Sequence, residues 1–379
     1  MAPPSIAETL RTAEVVICCG SGGVGKTTTA AVLGLQLAVE GRRVVVVTID
    51  PAKRLADALG IPGGLGNDPV RLTIGGPDFA DGPDGADGPD GSELARGELW
   101  AMMLDTVATF DGLVRANAPT AAQAERILAN RFYRNIAGAL SGTQEYMAAE
   151  RLHALHDDPR FDVVIVDTPP TRHALDFLEA PGTLTRFLDH PLFKLLMLPT
   201  RRGLKVLNVA AQPMLRTIGK VVGGDVLADA IAFFQAFDGM ETGFRERADE
   251  VMTLLRSDAT RYVLVAAPKR DTIDEARYFA GRLAQSQLGV SVLVVNRSTP
   301  TFGRPAGTTK RTPSNARLWA NHDELVSMAA AERDQLEPLV SDVMPAPVCW
   351  VPMLPGDVHD LSALHEIRRL LFGPSMTNG

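Results

Sequence analysis

Residues Val15 to Thr28 read VVICCGSGGVGKTT, and this stretch decides the fold predicted for the chain. An apolar run ends at Gly20, a glycine-rich loop follows, and an Ala/Leu-rich segment continues from Thr28 to Val39. The apolar run is typical of a buried strand, whereas the segment after the loop favours a helix. A strand, a glycine-rich loop and a helix in this order predict a phosphate-binding loop.

The loop matches the pattern G-x-x-x-x-G-K-[ST], with Gly20, Gly25, Lys26 and Thr27 at the fixed positions. Glycines let successive backbone N–H groups turn toward a phosphate, and the N-terminus of a helix favours anions. Lys26 would reach the β- and γ-phosphate oxygens, and the Thr27 hydroxyl would ligate Mg²⁺. The alternative is a glycine-rich turn that meets the pattern by chance, which the flanking strand and helix argue against.

The loop resembles that of one group of nucleotide hydrolases. Its sequence is similar to the "deviant" loop K-G-G-x-G-K-[ST]-T of ATPases that work as face-to-face dimers, among them the arsenite-pump and tail-anchored-protein-targeting ATPases. The resemblance implies ATP or ADP and Mg²⁺ as ligands. It implies nucleotide contacts at Gly20, Ser21, Gly22, Gly23, Val24, Gly25, Lys26, Thr27 and Thr28.

Ser21 departs from the family pattern, in which a lysine at this position reaches the partner's phosphates. A homodimer of this chain would therefore lack that cation at both of its sites. One resolution is that Lys53, Arg54 or Arg172 substitutes for the lysine. The other, which we favour, is a heterodimer with a paralogous ATPase that keeps it.

The composition indicates a globular protein without a general affinity for nucleic acid. The chain has 379 residues, 45% of them hydrophobic, and a net charge of −7, so it can bury a sizeable core but has no overall positive charge. Its three cysteines suit a reducing compartment. No basic and apolar leader opens the sequence and no apolar run is long enough to span a bilayer, so we expect a cytoplasmic protein that is soluble or peripheral to a membrane.

Asp50 ends the run RVVVVTID, which predicts a strand buried on both faces. It therefore lies at a carboxyl end, where open α/β sheets bind ligands. The segment Asp50 to Leu55 resembles the switch I motif D-P-A-[HK]-x-L of the same family. By this resemblance Asp50 would orient or deprotonate the attacking water and, with Lys26, form the catalytic pair. The alternative is an aspartate that only caps the next helix.

Asp167 ends a second valine-rich run, FDVVIVD, which also predicts a buried strand. The segment Asp167 to His173 (DTPPTRH) resembles switch II of the family, usually D-T-A-P-T-G-H. The resemblance implies that Asp167 and Thr27 hold Mg²⁺. Arg172 replaces the glycine of the motif, which predicts a stiffer loop.

Two later segments resemble the adenine pocket of the family. Asn296 lies at the end of the strand predicted for residues 290–297 and matches the family residue that bonds to adenine. Its amide can donate and accept hydrogen bonds at once, as the edge of adenine requires. The run Val351 to Val358 is similar to V-P-L-x-x-G-E-[VI], from which we assign Pro352 to the pocket.

Two segments interrupt the α/β pattern. Residues 77–92 repeat Gly-Pro-Asp and lie in a stretch with six acids and no base from Asp78 to Glu93, so we expect an acidic, mobile surface insertion. Residues 184–222 carry seven basic residues against one acid, interleaved with apolar side chains. This basic apolar segment would pack on a core, bind a hydrophobic client, or lie on anionic lipid.

The predicted fold class is α/β, a mostly parallel, doubly wound sheet of about seven strands with an inserted helical subdomain. The ATPase core would comprise residues 1–105, 159–177 with switch II, and 261–379 with the adenine pocket. Residues 106–158 and 178–260 would form the helical subdomain.

The same pattern limits the function. No zinc-binding C-x-x-C spacing is present, so no zinc site is predicted. The favoured function is a Mg-ATP-hydrolysing dimeric switch whose helical subdomain handles a hydrophobic or membrane-destined client. The alternatives are a weakly hydrolysing regulatory subunit of a hetero-oligomer and the ATPase subunit of a metalloid-anion (arsenite) pump.

Overall fold

The structure is a computed structural model that describes residues 4–50, 54–74, 97–136, 143–189, 224–236, 239–301 and 311–373. Three sequence predictions concern residues outside these ranges. They are the acidic insertion at 77–92, most of the basic apolar segment 184–222, and the switch I residues Pro51 to Lys53.

The chain divides into two compact units. The first comprises Met1–Met103, Leu155–Leu175 and Ser257–Gly379, and the second comprises Leu104–Ala154 and Asp176–Arg256. The first unit contains the sheet, and every element described in the second is a helix.

The first unit is built on one eight-stranded sheet. Its strands are β1 (Val15–Gly20), β2 (Arg43–Thr48), β3 (Val70–Leu72), β4 (Glu98–Met103), β5 (Val163–Asp167), β6 (Thr260–Ala266), β7 (Val292–Ser298) and β8 (Val348–Pro352). Their order across the sheet is β3-β4-β2-β5-β1-β6-β7-β8, and all pairs are parallel except β3 with β4. The predicted mostly parallel α/β fold is confirmed.

The central strands are buried because helices cover the faces of a parallel sheet. Every residue of β1 and β5 is buried, as are the four valines of β2. The helices assigned wholly to this unit are α1 (Ile6–Leu10), α2 (Lys26–Val39), α3 (Arg54–Ala58), α11 (Arg270–Gln285), α12 (Ala316–Asp342) and α13 (Leu361–Phe372). Helix α2 is buried along most of its length, as expected for the helix that follows the central strand.

The second unit has a hydrophobic core of its own. Its helices are α4 (Thr106–Asn117), α5 (Ala121–Ala129), α6 (Arg131–Ile136), α9 (Gly224–Ala236) and α10 (Glu241–Arg256), together with most of α7 (Thr143–His156) and α8 (Thr171–Asp189). Tyr133 and Phe233 stack in this core, and Phe244 is fully buried beside them. The buried carboxylate of Glu150 accepts hydrogen bonds from Tyr146 and Arg247, which fastens α7 to α10.

Two details differ from the sequence prediction. The sheet has an eighth strand, β3, which is only three residues long and largely exposed, so it lacks the apolar run by which the others were predicted. The sequence predicts a helix from His322 to Val343, whereas helix α12 begins at Ala316. The first turns of α12 carry exposed side chains, including Leu318, and therefore give no buried-face signal.

Candidate nucleotide-binding site

The carboxyl ends of three adjacent strands bring the site together. Asp167 ends β5, and the sheet register sets it beside Cys18 of β1 on one side and Thr48 of β2 on the other. The loop Gly20–Thr28 leaves β1 at the same edge. Residues far apart in sequence thus meet because parallel strands carry their carboxyl ends to one side of the sheet.

Glycines shape the backbone of the loop at two positions. Gly20 has a φ of +149°, and a Cβ there would collide with the carbonyl oxygen of Val265 on β6. Gly25 has a φ of +94° and caps the N-terminus of α2, where a Cβ would collide with the amide of Asn296. A side chain at Gly20 would displace the loop from β6, and a side chain at Gly25 would displace the Asn296 amide and strain the left-handed backbone.

The side chain of Lys26 is buried against the loop. Its Nζ donates a hydrogen bond of 2.8 Å to the carbonyl of Ser21, and the residue is only 8% exposed. Burial lowers the pKa of Lys26, while the charges of Asp167 and Asp50 oppose that shift. A buried ammonium beneath a ring of backbone amides favours an anion inside the loop.

Asp167 is the most confined carboxylate of the site. Its Oδ2 accepts hydrogen bonds from the Thr27 hydroxyl at 2.7 Å and from the Thr48 hydroxyl at 3.0 Å. The residue is 1% exposed, and burial raises its pKa to about 6. Its other oxygen, Oδ1, is buried and has no hydrogen-bond partner within the described residues.

These residues fit a magnesium ion that is shared with a nucleotide. A buried carboxylate oxygen without a partner is stabilised by a cation or by an ordered water that a cation holds. Mg²⁺ is usually bound by one or two carboxylates together with substrate phosphates and water, so a protein cage is not needed. No group of three or more His, Cys, Asp or Glu side chains forms a metal cage in the described part of the chain.

Asp50 lies one strand away from Asp167. Its backbone N–H donates to the Thr48 hydroxyl at 3.2 Å, so Thr48 connects the two acids. The Asp50 carboxylate forms an ion pair of 3.4 Å with the exposed Arg54 at the start of α3. Asp50 therefore stands at the outer side of the site, where a water could reach it.

Asn296 contacts the phosphate loop directly. Its Nδ2 donates to the Val24 carbonyl at 2.8 Å, and its Oδ1 accepts from the N–H of Arg297 at 3.0 Å. Pro352 ends β8, which pairs with the strand that carries Asn296. Asn296 is therefore hydrogen-bonded to the loop, whereas Pro352 is related to Asn296 only through the pairing of β7 with β8.

Ser21 is buried rather than exposed to a partner. It is 3% exposed, and its Oγ lies 3.5 Å from the carbonyl of Thr272 in the first turn of α11. Gly22 and Gly23, which follow it, are exposed. The outward surface of the loop is therefore formed by glycine backbone.

Two threonines of the site were not selected from the sequence. Thr48 holds both acids, and Thr168 donates to the Cys18 carbonyl at 2.7 Å, which fixes the residue after Asp167 against β1. Thr48 ends β2 and Thr168 directly follows β5, and this position at the carboxyl end of a valine-rich strand was the available signal.

Comparison with known proteins agrees with this geometry. A family model described as anion-transporting ATPase matches residues 13–75 and 92–373, and its gap coincides with the Gly-Pro-Asp segment. Over 298 residues the chain is 27% identical to the ATPase GET3 of Rhodotorula glutinis, covering 78% of this chain and 74% of that protein. Over 366 residues it is 25% identical to a candidate arsenical pump-driving ATPase of Aquifex aeolicus (strain VF5), covering 95% and 79%.

A third relative is the ATPase get3 of Aspergillus terreus, which is 26% identical over 292 residues.

None of the helices within the described ranges is long and apolar enough to cross a bilayer. Since the family model matches most of the sequence, this chain belongs to the anion-transporting ATPase family, and it is an ATPase.

Proposed function

We propose that the chain is a Mg-ATP-driven switch whose nucleotide site is the loop Gly20–Thr28 with Asp167. The observation that carries the proposal is the bond of 2.7 Å between the Thr27 hydroxyl and Asp167, next to a buried Asp167 oxygen without a described partner. These two side chains would hold Mg²⁺, which supplies positive charge to the β- and γ-phosphates when it is bound. Lys26 would exchange the Ser21 carbonyl for phosphate oxygens.

Asp50 would act on the water. Its carboxylate lies outside the buried pair of Thr27 and Asp167, and its backbone is held by Thr48. A carboxylate in this position can orient a water and accept its proton. Arg54 would hold the carboxylate in place until the water binds.

The switch would operate as a dimer, preferentially with a paralogous ATPase. Ser21 is uncharged and buried against α11, so it offers no cation to a partner's phosphates. The site on this chain would receive the partner's lysine, whereas the partner's site would face Ser21 and turn over slowly. Such a pair would hydrolyse ATP asymmetrically.

The output of the switch would be the binding of a hydrophobic or membrane-destined client by the helical unit. This step rests on the family resemblance and on the basic apolar segment 184–222, most of which lies outside the described residues. Hydrogen exchange of this segment in the ATP and ADP states is the test. We expect different protection in the ATP and ADP states. Equal protection in the two nucleotide states, both in the presence and in the absence of a partner, would favour the core-packing alternative.

The second candidate is a weakly hydrolysing regulatory subunit, and the observation that favours it is the missing cation at Ser21. The arsenite pump is the least supported alternative. Arsenic(III) binds thiolates, but Cys18 and Cys19 are fully buried. Burial raises the pKa of the Cys18 thiol well above its ordinary value and raises the pKa of the Cys19 thiol to about 12. A single further thiol, Cys349, does not complete a three-sulfur site.

Steady-state ATP hydrolysis by the purified chain, alone and with its co-purifying partner, tests the proposal. We expect weak activity alone and stronger activity in the complex, with both lost in Lys26→Ala. Strong activity of the isolated chain would refute the asymmetric dimer. Equally weak activity with and without the partner would favour the regulatory subunit.

A further inference from the structure

Arg297 is an exposed residue with a strained backbone beside the candidate site. Its φ is +60°, a left-handed conformation that brings the Cβ of an L-residue too close to the following carbonyl. Strain of this kind persists where the surrounding structure imposes it, and it is concentrated at binding and catalytic sites. The functions assigned above give Arg297 no role.

The only other non-glycine residue with positive φ among those described is Gln287, and it has a structural explanation. It follows helix α11, and its N–H donates to the Ala284 carbonyl while the Leu288 N–H donates to the Leu283 carbonyl. Paired bonds of this type are the usual left-handed ending of a helix. Gln287 is therefore a natural control for Arg297.

No helix ends at Arg297, so a helix ending does not explain its conformation. It lies within β7, where the pairing with β8 shifts register between Asn296 and Ser298. Arg297 is the extra residue of this β-bulge. Bulges next to active sites redirect a side chain that a regular strand would place elsewhere.

The neighbours of Arg297 connect it to both parts of the proposed nucleotide site. On one side, the amide of Asn296 bonds to the Val24 carbonyl of the loop and to the Arg297 N–H. On the other side, the Ser298 carbonyl accepts from the N–H of Met353, the residue after Pro352. The bulge thus lies between the phosphate loop and the segment assigned to the adenine pocket.

Within the described parts of the chain, the Arg297 guanidinium is exposed and makes no hydrogen bond or ion pair. Strand β7 is two positions from β1, or roughly 10 Å at the usual strand spacing. A nucleotide with its phosphates in the loop extends its ribose and base over a comparable distance. A planar guanidinium carried by β7 suits the flat face of a base, on which arginine stacks readily.

We propose that Arg297 is a base-binding residue, held by the bulge so that its guanidinium stacks on the purine of the bound nucleotide. The inference rests on the proposed function, because it requires that the loop holds the phosphates. It adds a residue that recognises the base and that no motif of the loop or switches includes.

Arg297→Gly tests the proposal because glycine adopts positive φ without strain. The variant removes the side chain and keeps the bulge, so its melting temperature should equal or exceed that of the wild type. We expect about tenfold weaker binding of both ATP and ADP, a loss equal to about 1.4 kcal/mol. Binding of Mg²⁺-tripolyphosphate, which has no base, should not change.

Gln287→Gly is the matched control, since it relieves the same kind of strain away from the site. It should leave all three affinities unchanged. Unchanged ATP affinity in Arg297→Gly would overturn the inference, and so would an equal loss for ATP and tripolyphosphate, which would indicate a phosphate contact. The proposed function fails separately, namely if the wild type does not bind ATP or if Lys26→Ala binds it undiminished.

Discussion

The hydroxyl of Thr27 donates a hydrogen bond of 2.7 Å to Asp167, a residue 140 positions later in the chain. The bond joins the first turn of α2 to the carboxyl end of β5. It leaves the second carboxylate oxygen of Asp167 buried and without a partner among the described residues. The two residues that the sequence assigned to Mg²⁺ from separate motifs are therefore in direct contact, although their role as ligands stays a prediction.

The ionisation of Asp167 should make the nucleotide-free protein less stable as the pH rises. Burial raises its pKa from 3.8 to about 6, so between these values the folded protein binds a proton that the unfolded chain has released. The stabilisation is complete below pH 3.8 and is lost as the pH rises through about 6. We expect the free energy of unfolding to fall by on the order of 2 kcal/mol over this window relative to Asp167→Asn.

Urea unfolding of the wild type and of Asp167→Asn at pH 4 and pH 7 measures this difference. The variant keeps the shape of the side chain but cannot ionise. If both proteins show the same change in unfolding free energy between the two pH values, Asp167 does not carry the shifted pKa.

Asp50→Asn should bind ATP about as well as the wild type and hydrolyse it about 100-fold more slowly or worse, because the carboxylate acts on water rather than on the nucleotide. Binding by titration and turnover by phosphate release are to be measured on the same preparation. Asp57→Asn, an exposed aspartate on α3, is the control and should retain full activity. Wild-type turnover in Asp50→Asn would reduce Asp50 to a structural residue.

Ser21→Lys should raise the hydrolysis rate of the isolated chain. It restores the cation that related dimers place on the partner's phosphates, and a cation on a transferring phosphate can contribute on the order of 10³-fold. Because Ser21 is buried against Thr272, the added bulk also has an effect of its own. Ser21→Met, which adds similar length without charge, separates the two, and an equal rate in both variants would contradict the role assigned to position 21.

The fold could be predicted because its central strands carry their own signal. Valine-rich runs at β2 and β5 are buried on both faces, so their composition indicates a parallel sheet without any knowledge of their neighbours. The short edge strand β3 pairs on one side only and has no such composition. Its existence depends on the partner strand β4, which local sequence does not encode.

The candidate site could be predicted only in part, for a similar reason. Gly20, Lys26 and Thr27 lie in one continuous motif, from which their contacts with phosphate and Mg²⁺ are predicted directly. The burial of Ser21 depends on Thr272, which lies 251 residues away, and the conformation of Arg297 depends on a register shift between two strands. Contacts of this kind arise from packing and leave no local pattern.

Calorimetric titration of the full chain with Mg·ATP tests most directly whether the loop Gly20–Thr28 holds the nucleotide. We predict saturable binding to the wild type and a loss of about 100-fold or more in Lys26→Ala, because the β- and γ-phosphates lose the cation of the loop. Arg71→Ala, which removes an exposed cation paired with Glu98 at the edge of the sheet, should bind as the wild type does. Undiminished binding by Lys26→Ala would contradict the assignment of the site.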